Sequence, residues 1–411
     1  MLEVRLERCA GIDVAKKFVV VCVMIGSADQ KPTVEVRRFG TNVKELERLR
    51  AWLLERGCTD AVMESTGSYW KPVFNILEGN LKIVLANPEQ VKALRGKKTD
   101  PKDSRWLAGL LRHGLIQSSF IPPRDIRELR DLTRRRRTLL GDGTAERNRV
   151  QKILEDANVK IGDVLSDVFG VSGQAMLEGL LENTHDVREI AERAHWSLQA
   201  KIPKLIEAME GHRMRDHHRF LIRQCLNHMR YIEEQIGELD KEIQIKLEPY
   251  QKQMELACTV PGIGKNSAAS ILAEIGMDMS PDGPFPDGHH LASWSTVCPG
   301  NNESGGKRKS GKMRTGNRWL RATITQTAWA GAAKKNSSFQ ARFRRIKQRR
   351  GAQRAIMAVA HAQLLAIYWT LRNGIPYQDQ IQMTEEDRRK KQIHYHLRQL
   401  QKLGHELEEA V

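Results

Sequence analysis

Ile222, Cys225, Met229, Ile232, Ile236, Leu239 and Ile243 recur at alternating steps of three and four. Those steps draw one narrow apolar stripe along an α-helix, and a stripe that narrow is buried only against another helix. The stretch from His218 to Leu247 therefore reads as one half of a coiled coil. A second helical pattern runs from Asp125 to Glu155 and holds four consecutive arginines, Arg134, Arg135, Arg136 and Arg137. The seam can close against this helix as an antiparallel hairpin, or against another subunit. Either way the middle of the chain forms an arm. Asn158 to Lys204, between the two helices, reads as a helical connection with no recognisable chemistry.

The arginine run is either a solvated helix face or a contact with phosphate. The charge of the whole chain favours phosphate: the formal net charge is +17 over 411 residues. Self-repulsion of that size disfavours a compact chain unless a polyanion offsets it. Nucleic acid fits, through phosphate neutralisation rather than base reading. A membrane fits less well, because no apolar run is long enough to span a bilayer and the first residues lack the apolar core of a signal peptide. Six cysteines are scattered without a CxxC pair. That pattern speaks against a zinc site or a disulfide framework and for a reducing cytoplasm.

Residues 1–121 read as an α/β domain. Gly11 to Val23 forms two strands around a turn at Ala15-Lys16-Lys17, and Val34 to Phe39 forms a third. Thr41 or Asn42 caps a helix that ends near Arg56, with Leu46, Leu49, Leu53 and Leu54 on one face. Thr59 to Met63 is a strand ending at Glu64, Leu81 to Ala86 another, and a helix with Trp70, Val73, Phe74 and Leu77 lies between them. Asp100 and Asp103 then share one face of a last helix. The order of elements, with Asp13 on the first strand, Glu64 at the end of the fourth and two aspartates on the last helix, is that of a ribonuclease H-like fold. Carboxylates gathered at one sheet edge can hold two divalent ions for phosphoryl transfer, and hard oxygen donors suit Mg2+ or Mn2+. Taken singly, each acid also has a structural reading. Asp13 serves as a turn residue, Glu64 as a strand-end surface charge, and Asp100 and Asp103 as partners of a helix dipole.

Beyond the arm (residues 122–250), residues 251–376 read as a mostly helical domain and 377–411 as a charged helical tail. TVPGIGKNSAASILAEIG has the look of a helix-hairpin-helix, in which Gly262, Gly264 and Lys265 present N–H groups and a charge to a DNA phosphate. PGNNESGGKRKSGKMRTGNRWLR follows as a basic loop leading into a helix at Asn317. Lys307, Arg308, Lys309, Lys312 and Arg314 make it a polyanion contact. Ser304, between Glu303 and two glycines, is the candidate nucleophile on a phosphodiester, and Ser310 in KSGK is its rival. His289 and His290 lack further ligands for zinc.

GIDVAKKFVVVCV, MESTGSYW and KTDPKDSRWLAGLLRHG resemble the N-terminal DEDD motifs of the insertion sequence one-ten family of transposases. VPGIGKNSAASILAEIG and LASWSTVCPGNNESGGKRKSGKMRTGNRWLR resemble the C-terminal transposase domain of the same family. The resemblance implies a RuvC-like domain with Asp13, Glu64, Asp100 and Asp103 as its Mg2+ ligands. It implies Ser304 as the serine that joins DNA covalently. It also implies a noncoding bridge RNA pairing with donor and target DNA, and a dimer or tetramer working at the nucleoid of a bacterial or archaeal cell. Two other readings compete. One is a metal-dependent nuclease of the Holliday-junction type, with Ser304 only touching phosphate. The other is a noncatalytic nucleic-acid scaffold.

Overall fold

The computed structural model describes residues 3–28, 30–65, 67–86, 91, 100–116, 118–182, 186–298, 302–304, 307–310, 316–379 and 393, with the backbone alone at 100–102, 302–304 and 307–310. The chain divides into two compact units, Met1–Ile121 and Pro122–Val411.

Unit one is a mixed five-stranded sheet with helices on both faces. β1 (Arg8–Val14), β2 (Phe18–Ile25) and β3 (Thr33–Gly40) form an antiparallel meander, and β4 (Asp60–Glu64) and β5 (Lys82–Ala86) continue the sheet parallel to β1, in the order β3-β2-β1-β4-β5. Strand side chains alternate between faces. Ala10, Ile12, Val21 and Met63 pack under α1 (Val43–Glu55) and α2 (Trp70–Leu77). Cys9, Cys22, Val62, Val84 and Ala86 pack under α3 (Asp100–Arg112). Asn42 caps α1, accepting from the Glu45 backbone N–H at 3.0 Å. Of the leucines expected inward on α1, Leu46, Leu49 and Leu53 are buried, whereas Leu54 is 44% exposed. Trp52 completes the buried face instead, because its ring packs 5.5 Å from that of Phe39 on β3.

Two contacts seat α3. Gly11 lets the helix touch β1: a Cβ there would fall 2.1 Å from the Ser104 carbonyl oxygen and 2.4 Å from the Ala108 nitrogen. At the other end, the buried Arg112 guanidinium donates to the carbonyls of Leu6, Glu7, Gly26 and Ser27. All six cysteines are free thiols, and burial pushes Cys9 up to about 12 and Cys22 and Cys58 to about 11. These last three behave as small core residues.

Unit two begins with the arm. α4 (Arg124–Asp156) and α9 (Asp216–Leu247) run antiparallel. Cross-links mark the register from root to tip: Tyr250 with Asp125, Lys246 with Glu128 at 2.7 Å, Arg136 with Asp240 at 2.5 Å, His228 with Glu146 at 2.7 Å and His218 with Asp156 at 2.8 Å. The heptad seam thus closes within the chain. Ile222, Met229, Ile232 and Ile243 are buried in it, and Gly143 of α4 faces the Ile232 side chain. At 33 residues α4 is about 50 Å long. The tip is more than a connection. Helices α5 (Ile161–Val164), α6 (Val171–Leu181), α7 (Val187–Glu192) and α8 (Ile202–Glu207) contribute to a core with Val150, Leu154 and Ile222 of the arm.

The remainder of unit two is helical around α15 (Ala352–Asn373). α10 (Gln251–Cys258), α11 (Lys265–Ile275), α12 (Gly288–Trp294), α13 (Arg318–Ala333) and α14 (Ser338–Arg350) precede it. The buried Gln363 amide of α15 donates to the carbonyls of Pro261 and Thr327, joining the 261–264 turn to α13. The start of the tail is ordered onto this body: Tyr377 stacks on Phe339 at 5.7 Å, and Asp379 accepts from the Ser338 N–H. Past 379 only Ile393 is described, so the charged tail read from the sequence lies outside the described residues.

Candidate functional site

β1 and β4 are parallel neighbours with Ile12 opposite Met63. Continuing that register by one residue sets Asp13 beside Glu64 at the carboxyl ends of both strands. Adjacent strands lie about 4.8 Å apart, and register partners share a face. The alternation fixes which face. Gly11 and Val62, two residues before the acids, both lie under α3. The buried stripe of α3 is Ser104, Leu107, Ala108 and Leu111. Asp103 lies one helical turn before Leu107, and Asp100, four before Ser104, opens the helix. The N-terminal end of α3, with Asp103, therefore lies toward the strand ends holding Asp13 and Glu64. Asp13, Glu64 and Asp103 are each partly buried. The side chain of Asp100 lies outside the described residues. The carboxyl ends of parallel strands are where open α/β sheets bind ligands.

The basic stretch of unit two contains an element that its composition hides. β6 (Asn302–Ser304) and β7 (Lys307–Ser310) form an antiparallel hairpin, with Ser304 opposite Lys307, Glu303 opposite Arg308 and Asn302 opposite Ser310, and a bulge between Asn302 and Glu303. Ser304 lies in the innermost described pair of the ladder and Ser310 in the outermost. Lys309 lies on the same strand. Gly305, Gly306, Lys312 and Arg314 lie outside the described residues.

Both of these regions fall inside matches to known families. A DEDD transposase family of the IS110 type matches residues 10–159, and the family described as Transposase IS116/IS110/IS902 matches residues 254–344, together more than half of the chain. The chain belongs to the IS110 family of transposases. No curated protein matches it. A transposase cuts and rejoins DNA, so DNA is its substrate. DEDD transposases work with divalent metal, and Asp13, Glu64 and Asp103 offer the hard oxygen donors that such an ion takes.

The cationic residues of the transposase divide by their partners. Consecutive helix positions point about 100° apart, so Arg134 to Arg137 cannot act as one patch. Arg134 forks onto Glu274 at 2.7 and 2.8 Å, and Arg136 onto Asp240. Arg137 donates to Gln326 at 2.9 Å, and Arg135 is exposed. The run read from the sequence as a phosphate contact is thus largely a set of internal ties, with Arg135 and the exposed part of Arg137 facing solvent. In the 261–264 turn, Gly262 (φ +90°) packs so closely on α13 that a Cβ would fall 2.4 Å from the Gly331 nitrogen. Gly264 and Lys265, at the start of α11, are exposed.

Sequence reasoning passed over α14 as one more helix. It carries Arg342, Arg344, Arg345, Lys347, Arg349 and Arg350, all exposed and spread around the helix, and no acid. Only Phe339 of this helix is buried. The charge run in RFRRIKQRR was the visible signal. Sequence reasoning also passed over a cluster at the arm tip, where Asp156, His217 and His218 lie close enough to share an ion. The ring of His218 is already committed: Nδ1 accepts from the Arg215 N–H at 3.1 Å, and Nε2 bonds Asp156 at 2.8 Å. The cluster caps α9 and ties it to α4. No helix among the described residues is long and apolar enough to cross a membrane.

Proposed function

We propose that this transposase cuts and rejoins DNA through a phosphoserine intermediate on Ser304, served by a metal site on a ribonuclease H-like, RuvC-like unit and guided by a noncoding bridge RNA. The observation that carries the reading is the convergence of Asp13 and Glu64, at the ends of adjacent parallel strands, under the helix that opens with Asp100 and Asp103. Carboxylates of Asp13, Glu64, Asp100 and Asp103 would suit Mg2+, or Mn2+, which when bound would activate a hydroxyl and offset charge on a phosphorane. The Ser304 oxygen attacks a DNA phosphorus, the bond from phosphorus to the departing strand breaks, and the serine proton ends on the leaving hydroxyl. Attack by the hydroxyl of a new strand reverses these changes and restores the serine. The bond energy is kept, so no nucleotide hydrolysis is needed.

Ser304 pairs with Lys307 in the register of the hairpin, and a basic neighbour suits a nucleophile on phosphate, which supports Ser304 over Ser310. The exposed arginines of α14, with Gly264 and Lys265, supply backbone contacts suited to a substrate chosen by base pairing. The serine and the acids lie on different units, which accords with sites composed from two subunits of a homo-oligomer.

A trapping assay tests this. The protein is combined with RNA from its native flanks, donor and target DNA and Mg2+, quenched in denaturant and examined by mass spectrometry. The expected result is a DNA adduct on Ser304 that Asp13→Asn abolishes. Metal-dependent cleavage with no serine adduct would replace the recombinase with a Holliday-junction-type nuclease. One observation supports that second reading: all four acids lie in unit one and the serine hairpin in unit two.

A further inference from the structure

Glu274 closes the last turns of α11 and is 2% exposed. Its carboxylate accepts from Arg134 Nε and Nη2 at 2.7 and 2.8 Å and from Asn317 Nδ2 at 2.6 Å, and lies 3.4 Å from Arg130 Nε. Arg130 also donates to the carbonyls of Ala273 and Glu274. Burial lowers the Arg130 guanidinium to about 10, so it stays charged at neutral pH. Two arginines from the root of the arm thus meet one carboxylate, and that carboxylate holds the residue that opens α13.

Both polar atoms of the Asn317 side chain are engaged. Its Oδ1 accepts from the N–H groups of Trp319 and Leu320, both at 3.1 Å, while its amide nitrogen goes to Glu274. Immediately before it, Gly316 abuts Thr296: a Cβ at 316 would fall 2.3 Å from the threonine Oγ1. Thr296 has φ +58°. That conformation costs a β-branched residue about 1–3 kcal/mol and persists only where its surroundings impose it. Here Arg321 Nη2 donates to Thr296 Oγ1 at 2.8 Å. Thr296 and Gly316 therefore meet in a neck, and the β6–β7 hairpin lies between them in the sequence.

We propose that Glu274 is a positioning residue for strand transfer, fixing the neck of the serine loop to the root of the arm through Arg130, Arg134 and Asn317. The inference rests on Ser304 as nucleophile. A buried ion pair is a weak source of stability compared with apolar packing of the same size. What the cluster adds is direction: a shift of the arm at Arg134 reaches the outgoing end of the loop through two hydrogen-bonded side chains.

The test uses full-length protein with RNA and DNA. Asn317→Asp keeps a good N-cap but turns its donor into a second carboxylate facing Glu274. The pair Glu274→Gln/Asn317→Asp restores one amide and one carboxylate. Thermal unfolding, DNA affinity and the rate of serine adduct formation are measured for each. Asn317→Asp is expected to bind DNA within about twofold of wild type and to form adduct about a hundredfold more slowly, the scale of a small misplacement of reacting groups. The double variant should regain most of that rate. Unchanged adduct formation in Asn317→Asp overturns the proposal. So does a double variant that is as stable as wild type and still slow, or a rate that falls only in step with the folded fraction. If the wild type itself cleaves DNA without an adduct, the assignment of Ser304 has failed, and that result is read before any variant is made.

Discussion

A single missing side chain sets the geometry of the acidic edge. Gly11 admits α3 to van der Waals contact with β1, and α3 carries Asp103. The atoms that a side chain at 11 would meet are backbone, which cannot rotate away. Gly11→Ala is therefore expected to lift the helix from the sheet. Overpacking of this kind costs about 1–3 kcal/mol, and the acids separate with it. Metal-dependent cleavage should fall much further than DNA binding, and titrating Mg2+ should show a raised requirement. Unchanged cleavage at low Mg2+ would show that the close approach is dispensable. At this scale the sequence was informative where chemistry is local. Asp13 stood out as a carboxylate inside an apolar strand, which needs a reason, Glu64 as the end of another strand, and Asp100 and Asp103 by their spacing on one helix face. Glu274 did not, because one acid in a helix of small residues is ordinary until its partners, 140 and 43 residues away, are known.

Among elements, those with a strong period were legible. The meander, its punctuating turns, the heptad seam and the helix capped by Asn317 appear where the residue pattern places them. The seam left its partner open, because an a/d stripe does not say which helix covers it, and the ion pairs along α4 and α9 supply that answer. The β6–β7 hairpin was not legible: Lys, Arg, Ser and Gly have little strand propensity, and such a stretch reads as a loop. The tip core escaped because its helices are short and their apolar residues are shared with the arm. For α14 the exposed arginines give a quantitative expectation. On duplex DNA, the slope of log affinity against log salt shrinks by about 0.9 for every phosphate that the protein ceases to neutralise. Replacing Arg344, Arg345 and Arg349 with Gln should flatten the slope by up to about three such steps with no change in the melting temperature. An unaltered slope in a filter-binding series would remove α14 from the interface.

The whole molecule is two bodies, each with its own apolar core: one built on the sheet, the other including the arm. A fragment of residues 1–121 should fold alone, showing dispersed amide resonances and one cooperative unfolding transition; a fragment without either would mean that the sheet depends on the rest of the chain. The arm belongs to the second body in an instructive way. Its outgoing and returning strands of chain are pinned together at the root by Asp125 with Tyr250 and Glu128 with Lys246. The whole excursion therefore behaves as a cassette spliced into the protein at one point. Seven residues added to each helix would keep the seam in phase and move the tip outward by about 10 Å while leaving the root undisturbed. Its length is a ruler that insertions and deletions can reset in steps.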